Sequence, residues 1–209
     1  MVGGRGKCRL GVLVSGRGSN LQALIDACAD PGFPATIAAV VSNRPDAGGL
    51  ARAQAAGIAT SVVDHKLYAT REAFEAHLHA ALEEAGVDLL CAAGFMRVLT
   101  ASFIARWEGR FLNVHPSLLP SFPGLHPQQQ ALDAGVKVSG CTVHFVTAEV
   151  DAGPIVAQVA VPVLEGDTAD TLAARILNSE HRLYPRAVRL VAEGRVRIEG
   201  ARAHVDERP

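Results

Sequence analysis

The sequence predicts an α/β fold, doubly wound, with a mostly parallel sheet and helices on both of its faces. Three observations predict it. Short apolar runs alternate with stretches of helical period through the first half of the chain. One of those runs, Asp88 to Ala93, is wholly apolar after its aspartate, as strands buried on both faces are. Two of the helical stretches stop at a glycine, a common helix terminator, and strands alternating with helices imply right-handed crossovers.

Taken in order, Leu10 to Val14 is a short β-prone run. It breaks at Ser15-Gly16-Arg17-Gly18-Ser19-Asn20 and resumes as a helix through Leu21, Leu24, Ile25 and Cys28. Ile37 to Val41 repeats the strand signal, Asn43-Arg44-Pro45-Asp46 the turn, and Ala47 to Ala56 an alanine-rich helix closed by Gly57. Ser61 to Val63 is a candidate third strand. Arg71 to Ala85 places Ala73, Phe74, Leu78, Ala81 and Leu82 on one helical stripe, stops at Gly86, and leads into Asp88 to Ala93 as the fourth strand. From Phe111 the pattern changes to a strand reaching Asn113, a Pro/Gly-rich loop from Pro116 to Pro127, and a hairpin from Val138 to Phe145 and Ile155 to Val163. Thr168 to Val191 is the last long helix, capped by Thr168, kinked at Pro185 and ended by Glu193-Gly194. The charged tail beyond Glu199 is expected to fray.

With 209 residues the chain suits one domain, and 49% hydrophobic residues, 20% charged residues and a net charge of -1 exclude disorder and a basic field for nucleic acid. A small-molecule partner is expected, with no nucleic acid and no membrane. Met1 to Arg9 reads as neither a signal peptide nor a membrane span. Cys8, Cys28, Cys91 and Cys141 lie far apart with no C-x-x-C pair, which points to reduced, buried thiols in a cytoplasmic protein and to no metal. His77 and His79, two apart on a helix, point to different faces and make a poor metal pair, so solvated positions are expected. Glu83-Glu84 reads as a wet face, and Phe103 with Trp107 as core or subunit packing.

Two segments carry chemistry. Asn113 and His115 have the spacing that puts two side chains on one face of a strand end, the prolines beyond stiffen the exit, and Asp151 follows thirty-six residues after the histidine in Asp-Ala-Gly-Pro. A carboxamide, an imidazole and a carboxylate that meet can run an acyl transfer. Asn113 could equally bond its own backbone, and Asp151 could simply make a turn. The loop holding Gly16, Gly18, Ser19 and Asn20 joins a strand to a helix and offers backbone N–H groups to a phosphate, although its glycines could instead only turn the chain. It is no dinucleotide fingerprint, because Leu21 stands where a third glycine belongs and Ser42-Asn43 supplies no acid for a ribose. It also lacks the lysine of a Walker loop.

Gly16 to Gln22, Ala93 to Leu99, Asn113 to Gly124, His144-Phe145-Val146 and Asp151 to Pro154 together resemble the phosphoribosylglycinamide formyltransferases, folate-dependent enzymes of purine biosynthesis. The resemblance runs from about Leu10 to Arg197. It implies a formyltransferase-like fold and transfer of the formyl group of 10-formyltetrahydrofolate to the amine of 5-phosphoribosylglycinamide. Gly18, Ser19 and Asn20 would then hold the ribonucleotide phosphate and Glu180 the glycinamide end. Arg71, Met96, Arg97, Val98, Leu99 and Asn113 would line the folate site, and Asn113, His115 and Asp151 would be catalytic. It further implies a phosphate-binding half at about 9–105, a folate-binding and catalytic half at about 106–198, and a monomer or homodimer. Pro127-Gln128-Gln129 departs from the family's pattern.

In such a reaction the Asn113 amide and a charged His115 would stabilise the developing oxyanion, and Asp151 would fix the imidazole tautomer and favour its charged form. Two relatives of other activity are expected to need more chain. A formyl-folate hydrolase usually carries an N-terminal regulatory domain, and a methionyl-tRNA formylating enzyme a C-terminal tRNA-binding one. A nucleotide- or flavin-binding module without catalysis would explain the glycine loop but not the Asn, His and Asp set.

Overall fold

The computed structural model describes residues 6–206, so the reading of the first five residues as no leader lies outside it. Seven strands form the main sheet: β1 (Cys8–Val14), β2 (Ala35–Ser42), β3 (Thr60–Val62), β4 (Leu89–Ala92), β5 (Phe111–His115), β6 (Val138–Phe145) and β7 (Ile155–Pro162). Their order is β3-β2-β1-β4-β5-β6-β7. The first five run parallel, while β6 is antiparallel to both β5 and β7. The order reverses on either side of β1, the arrangement in which open α/β sheets bind ligands at the carboxyl ends of their strands.

The period-two alternation of a strand assigns each side chain to one of two cores. In β1, Leu10, Val12 and Val14 enter one apolar cluster and Leu13 the other; in β4, Leu89 and Cys91 oppose Leu90 and Ala92 in the same way. The first cluster is sealed by α1 (Ser19–Cys28), α2 (Gly48–Ala55), α5 (Pro127–Asp133) and α6 (Ala169–Ala192), through residues such as Leu21, Leu50, Ala131 and Ile176. The second is sealed by α3 (Arg71–Glu84) and α4 (Ala101–Arg106), through Phe74, Leu78, Phe103 and Ile104. Helices therefore cover both faces, as the apolar runs require. The Thr168 side chain caps α6 by accepting the Thr171 N–H, and the helix runs on through Pro185. Among the described residues no helix is long and apolar enough to cross a membrane.

Three features depart from the sequence reading. The seven-residue α5 was not predicted as a helix and the six-residue α4 was read only as a helical face shared by Phe103 and Trp107, since both are too short for a periodic stripe to declare itself. The charged tail does not fray within the described residues. β8 (Val196–Glu199) and β9 (Arg202–Val205) pair as a hairpin across Gly200, whose φ of 57° makes the reversal, while Ala203 and Val205 pack on the first cluster. His79 is not solvated either: its ring lies edge-on to Phe103 and Trp107, although His77 is exposed as expected.

Candidate active site

One row of the sheet positions the chemistry. Leu13 of β1 pairs with Ala92 of β4, Ala92 with Asn113 of β5, and Asn113 with His144 of β6. With strands about 4.8 Å apart, the glycine loop after β1 and the end of β5 lie within about 10–15 Å of each other on one edge. The segment following β4 lies between them. The fold therefore gathers Gly16–Asn20, Ala93–Leu99 and Asn113–His115 whatever their separation in sequence.

Residues directly opposite on antiparallel strands share a face, so the Asn113–His144 register brings both side chains to the side that His115 also occupies. The Asn113 amide Nδ2 is 3.4 Å from His144 Nε2, and the His144 Nδ1 is 2.9 Å from the Phe145 carbonyl. Asp151 enters from the turn after β6. One carboxylate oxygen, Oδ2, lies 3.3 Å from His115 Nδ1 and the other, Oδ1, 3.7 Å from His144 Nε2. The Gly124 N–H donates to Asp151 Oδ2 at 2.8 Å, tying the turn to the proline loop. Burial alone would raise the Asp151 carboxyl, but the His144 hydrogen bond, the Gly124 N–H and the neighbouring imidazoles outweigh it and hold the group below its ordinary value. Asp151 is thus a carboxylate at neutral pH, facing two rings.

Backbone geometry enforces that placement. Asp151 adopts a φ of 53°, unusual for a residue with a Cβ, and two positions later a Cβ at Gly153 would sit 1.8 Å from the Phe145 carbonyl oxygen. Only glycine lets this turn close on the end of β6. The proline loop is held by Thr142, which donates to the Ser117 carbonyl at 2.7 Å and accepts the Leu119 N–H at 3.1 Å. His115 closes β5, and its Nε2 lies 3.0 Å from the Phe122 carbonyl.

At the other end of the row, Gly18 holds a φ of 73° as N-cap of α1, and a Cβ there would meet the Gly49 Cα at 2.5 Å. No side chain caps α1, so the N–H groups of Ser19 and Asn20 remain available at a helix N-terminus. The buried Asn20 donates through Nδ2 to Glu180 Oε2 at 2.7 Å, while its own Oδ1 is buried without a partner. A residue of α1 and one of α6, 160 positions apart, meet in this way. Desolvation raises the Glu180 carboxyl above its ordinary value, with the Asn20 hydrogen bond opposing it.

A raised acid favours the folded state only while it keeps its proton. Above the unfolded value the unfolded chain ionises first, and stability falls with rising pH until the raised native value is passed. Glu180→Gln should therefore melt higher than the parent at pH 8 and alike near pH 4, as thermal denaturation at the two values would show. A difference independent of pH would mean that Glu180 is not a buried acid.

The sequence-derived donor strip is less uniform. Met96, Arg97 and Val98 are exposed, with two apolar side chains turned outward, whereas Leu99 is buried in the second core cluster. Leu99 can offer a ligand its backbone but little side chain. Arg71 is the exposed first residue of α3, a helix that starts on the same carboxyl edge because it follows β3. No role was read for Thr142 or His144 from the residues, although His144-Phe145-Val146 is one of the segments that carry the family resemblance and the register of the Val138–Phe145 strand sets His144 opposite Asn113. Among the described residues no group of three or more His, Cys, Asp or Glu could hold a metal ion. The four cysteines are free, three of them buried, and burial pushes Cys8 and Cys28 up to about 11 and Cys141 to about 12, so none is a ready nucleophile.

A family profile described as formyl transferase matches residues 8–188 of the chain. The chain belongs to the formyl transferase family. The phosphoribosylglycinamide formyltransferase of Escherichia coli strain K12 is 45% identical over 195 residues, covering 93% of this chain and 92% of that protein. The bovine trifunctional purine biosynthetic protein adenosine-3 is 53% identical over 192 residues, and the chain spans only 19% of its length. The crystal structure of glycinamide ribonucleotide transformylase 1 from Symbiobacterium toebii superposes with a TM-score of 0.93 at 54% identity, covering 95% of this chain and 94% of that one. Formyl transferase membership accords with a site that has an oriented imidazole and an amide.

Proposed function

We propose that the protein transfers the formyl group of 10-formyltetrahydrofolate to the amine of 5-phosphoribosylglycinamide, giving the N-formylated ribonucleotide and tetrahydrofolate in purine biosynthesis, in the cytoplasm. The observation that carries the reading is the Asp151 carboxylate shared between His115 and His144 beside Asn113, on the same sheet edge as the Gly18–Asn20 loop and Glu180. Names borne by relatives that match most of the chain point the same way.

In this reading the N–H groups of the Gly18, Ser19 and Asn20 loop receive the acceptor's phosphate, and Glu180, steadied by Asn20, faces its glycinamide end. Exposed Met96 and Val98 provide apolar surface for the flat ring system of the donor, with Arg97 and Arg71 available to its carboxylates. The residues from about 9 to 105 then form the phosphate-binding half of a single domain and those from about 106 to 198 the donor-binding and catalytic half. As the amine attacks the formyl carbon, charge grows on the formyl oxygen. The Asn113 N–H and an N–H of the His115 ring neutralise it, a type of interaction whose loss costs about 100- to 1000-fold. Asp151 holds the imidazole by Nδ1, leaving Nε2 for the substrate once its hydrogen bond to the Phe122 carbonyl is released. His115 is also placed to carry the amine's proton toward the departing folate nitrogen, directly or through water.

The test is tetrahydrofolate formation from 10-formyltetrahydrofolate with and without 5-phosphoribosylglycinamide. Product should appear only with the acceptor; product formed equally fast without it would make the protein a hydrolase. Ser19→Asp sets a carboxylate against the phosphate and should raise the acceptor KM about tenfold or more, with the donor KM nearly unchanged. Equal rises in both would move the phosphate elsewhere.

A further inference from the structure

Sequence comparison with dinucleotide-binding folds leaves Asn43 without a task, since it stands at the end of β2 where a ribose-binding acid would be. The structure gives it a different set of neighbours. Ser15, directly after β1, and Asn43 are both buried, and the Ser15 hydroxyl lies 2.6 Å from Asn43 Oδ1. The same hydroxyl oxygen accepts the Met96 N–H at 2.8 Å, and the Ser15 backbone N–H donates to the Gly94 carbonyl at 3.2 Å. Beyond Asn43, its Nδ2 lies 3.2 Å from His65 Nδ1.

The proton inventory fixes the direction of this chain. A serine hydroxyl has one hydrogen, and because Asn43 Oδ1 is an acceptor only, that hydrogen goes to it while Ser15 Oγ accepts from Met96. The carboxamide is thereby turned with its NH2 toward His65. Ser15 grips the Gly94–Met96 backbone at two points, and the last of those residues begins the exposed strip of Met96 to Val98.

We infer that Ser15 is a positioning residue for the formyl-donor site, aimed by Asn43 and setting the backbone that presents Met96 to Val98; the inference rests on the donor reading above. The acceptor loop has anchors of its own, because the Gly49 N–H donates to the Gly16 carbonyl at 3.0 Å and Arg52 Nε to the Arg17 carbonyl at 2.9 Å. Loss of the Ser15 hydroxyl therefore loosens the donor side and spares the acceptor side, because the Met96 N–H and the buried Asn43 Oδ1 both lose their Ser15 partner.

The experiment is calorimetric titration of the full chain with tetrahydrofolate and, separately, with 5-phosphoribosylglycinamide. In Ser15→Ala the tetrahydrofolate Kd should rise about tenfold and the acceptor Kd should stay within about twofold, whereas Ser15→Thr, which keeps the hydroxyl, should restore the tetrahydrofolate Kd. A tetrahydrofolate Kd unchanged in folded Ser15→Ala, or both constants rising together, overturns the inference. If Ser15→Ala does not fold, Asn43→Ala decides: a rise of about threefold or more in the tetrahydrofolate Kd supports the inference and a value within the scatter of the parent overturns it. Parent protein that binds no tetrahydrofolate overturns both this inference and the donor reading, a result distinct from parent and variant binding alike.

Discussion

His115→Ala is expected to lower kcat for formyl transfer by about a thousandfold or more, with the fold retained. The ring is held by Asp151 on one nitrogen, and once the other is released from the Phe122 carbonyl it can act, in the proposed reaction, both as an oxyanion donor and in proton transfer. Each role is worth about 100-fold or more. The side chain is 7% exposed, yet the neighbouring register is carried by backbone pairing of Leu112 to His115 with Thr142 to Phe145. Truncation thus leaves a polar gap beside a sheet whose ladder is intact. Steady-state turnover at saturating concentrations of both substrates, with near-ultraviolet circular dichroism as the check on folding, decides it. Turnover near that of the parent would remove His115 from the chemistry.

The second large effect falls on stability. Gly153→Ala would place a methyl carbon 1.8 Å from the Phe145 carbonyl oxygen, which is backbone and cannot swing aside. Either the 147–154 turn or the end of β6 must move, and Phe145 N donates to the Pro154 carbonyl at 2.9 Å across the same gap. Loss of about 3 kcal/mol or more is expected in urea denaturation, at the severe end for one added methyl. Activity should fall even where the variant folds, because Asp151 lies two residues upstream. A variant as stable as the parent would show that the turn closes in some other way.

The fold was largely legible because its apolar runs are short, uniform and separated by glycine or proline, so strand and helix periods rarely compete. Asn113 and His115 were legible for a local reason: their spacing fixes a shared face within one strand. Asp151 was flagged by its turn chemistry, although its partnership with His115 depends on the β6 hairpin. His144 was given no role since its neighbour Asn113 is chosen by the β5–β6 register across thirty intervening residues, many of them loop, which no local pattern encodes. The environment of His79 was hidden for a related reason, because what covers it is α4, too short to be read from periodicity. In the tail, Ala203 and Val205 alternate on one face of β9, but the charged residues around them masked a pattern only two apolar positions long.

The Gly124 amide and the His115 ring share a single oxygen of Asp151. A shift of the strap from Pro116 to His126 therefore cannot leave the imidazole's pose untouched, because both hang from one atom. Whatever docks beside that strap is, by the same linkage, also adjusting the acid–base apparatus beneath it.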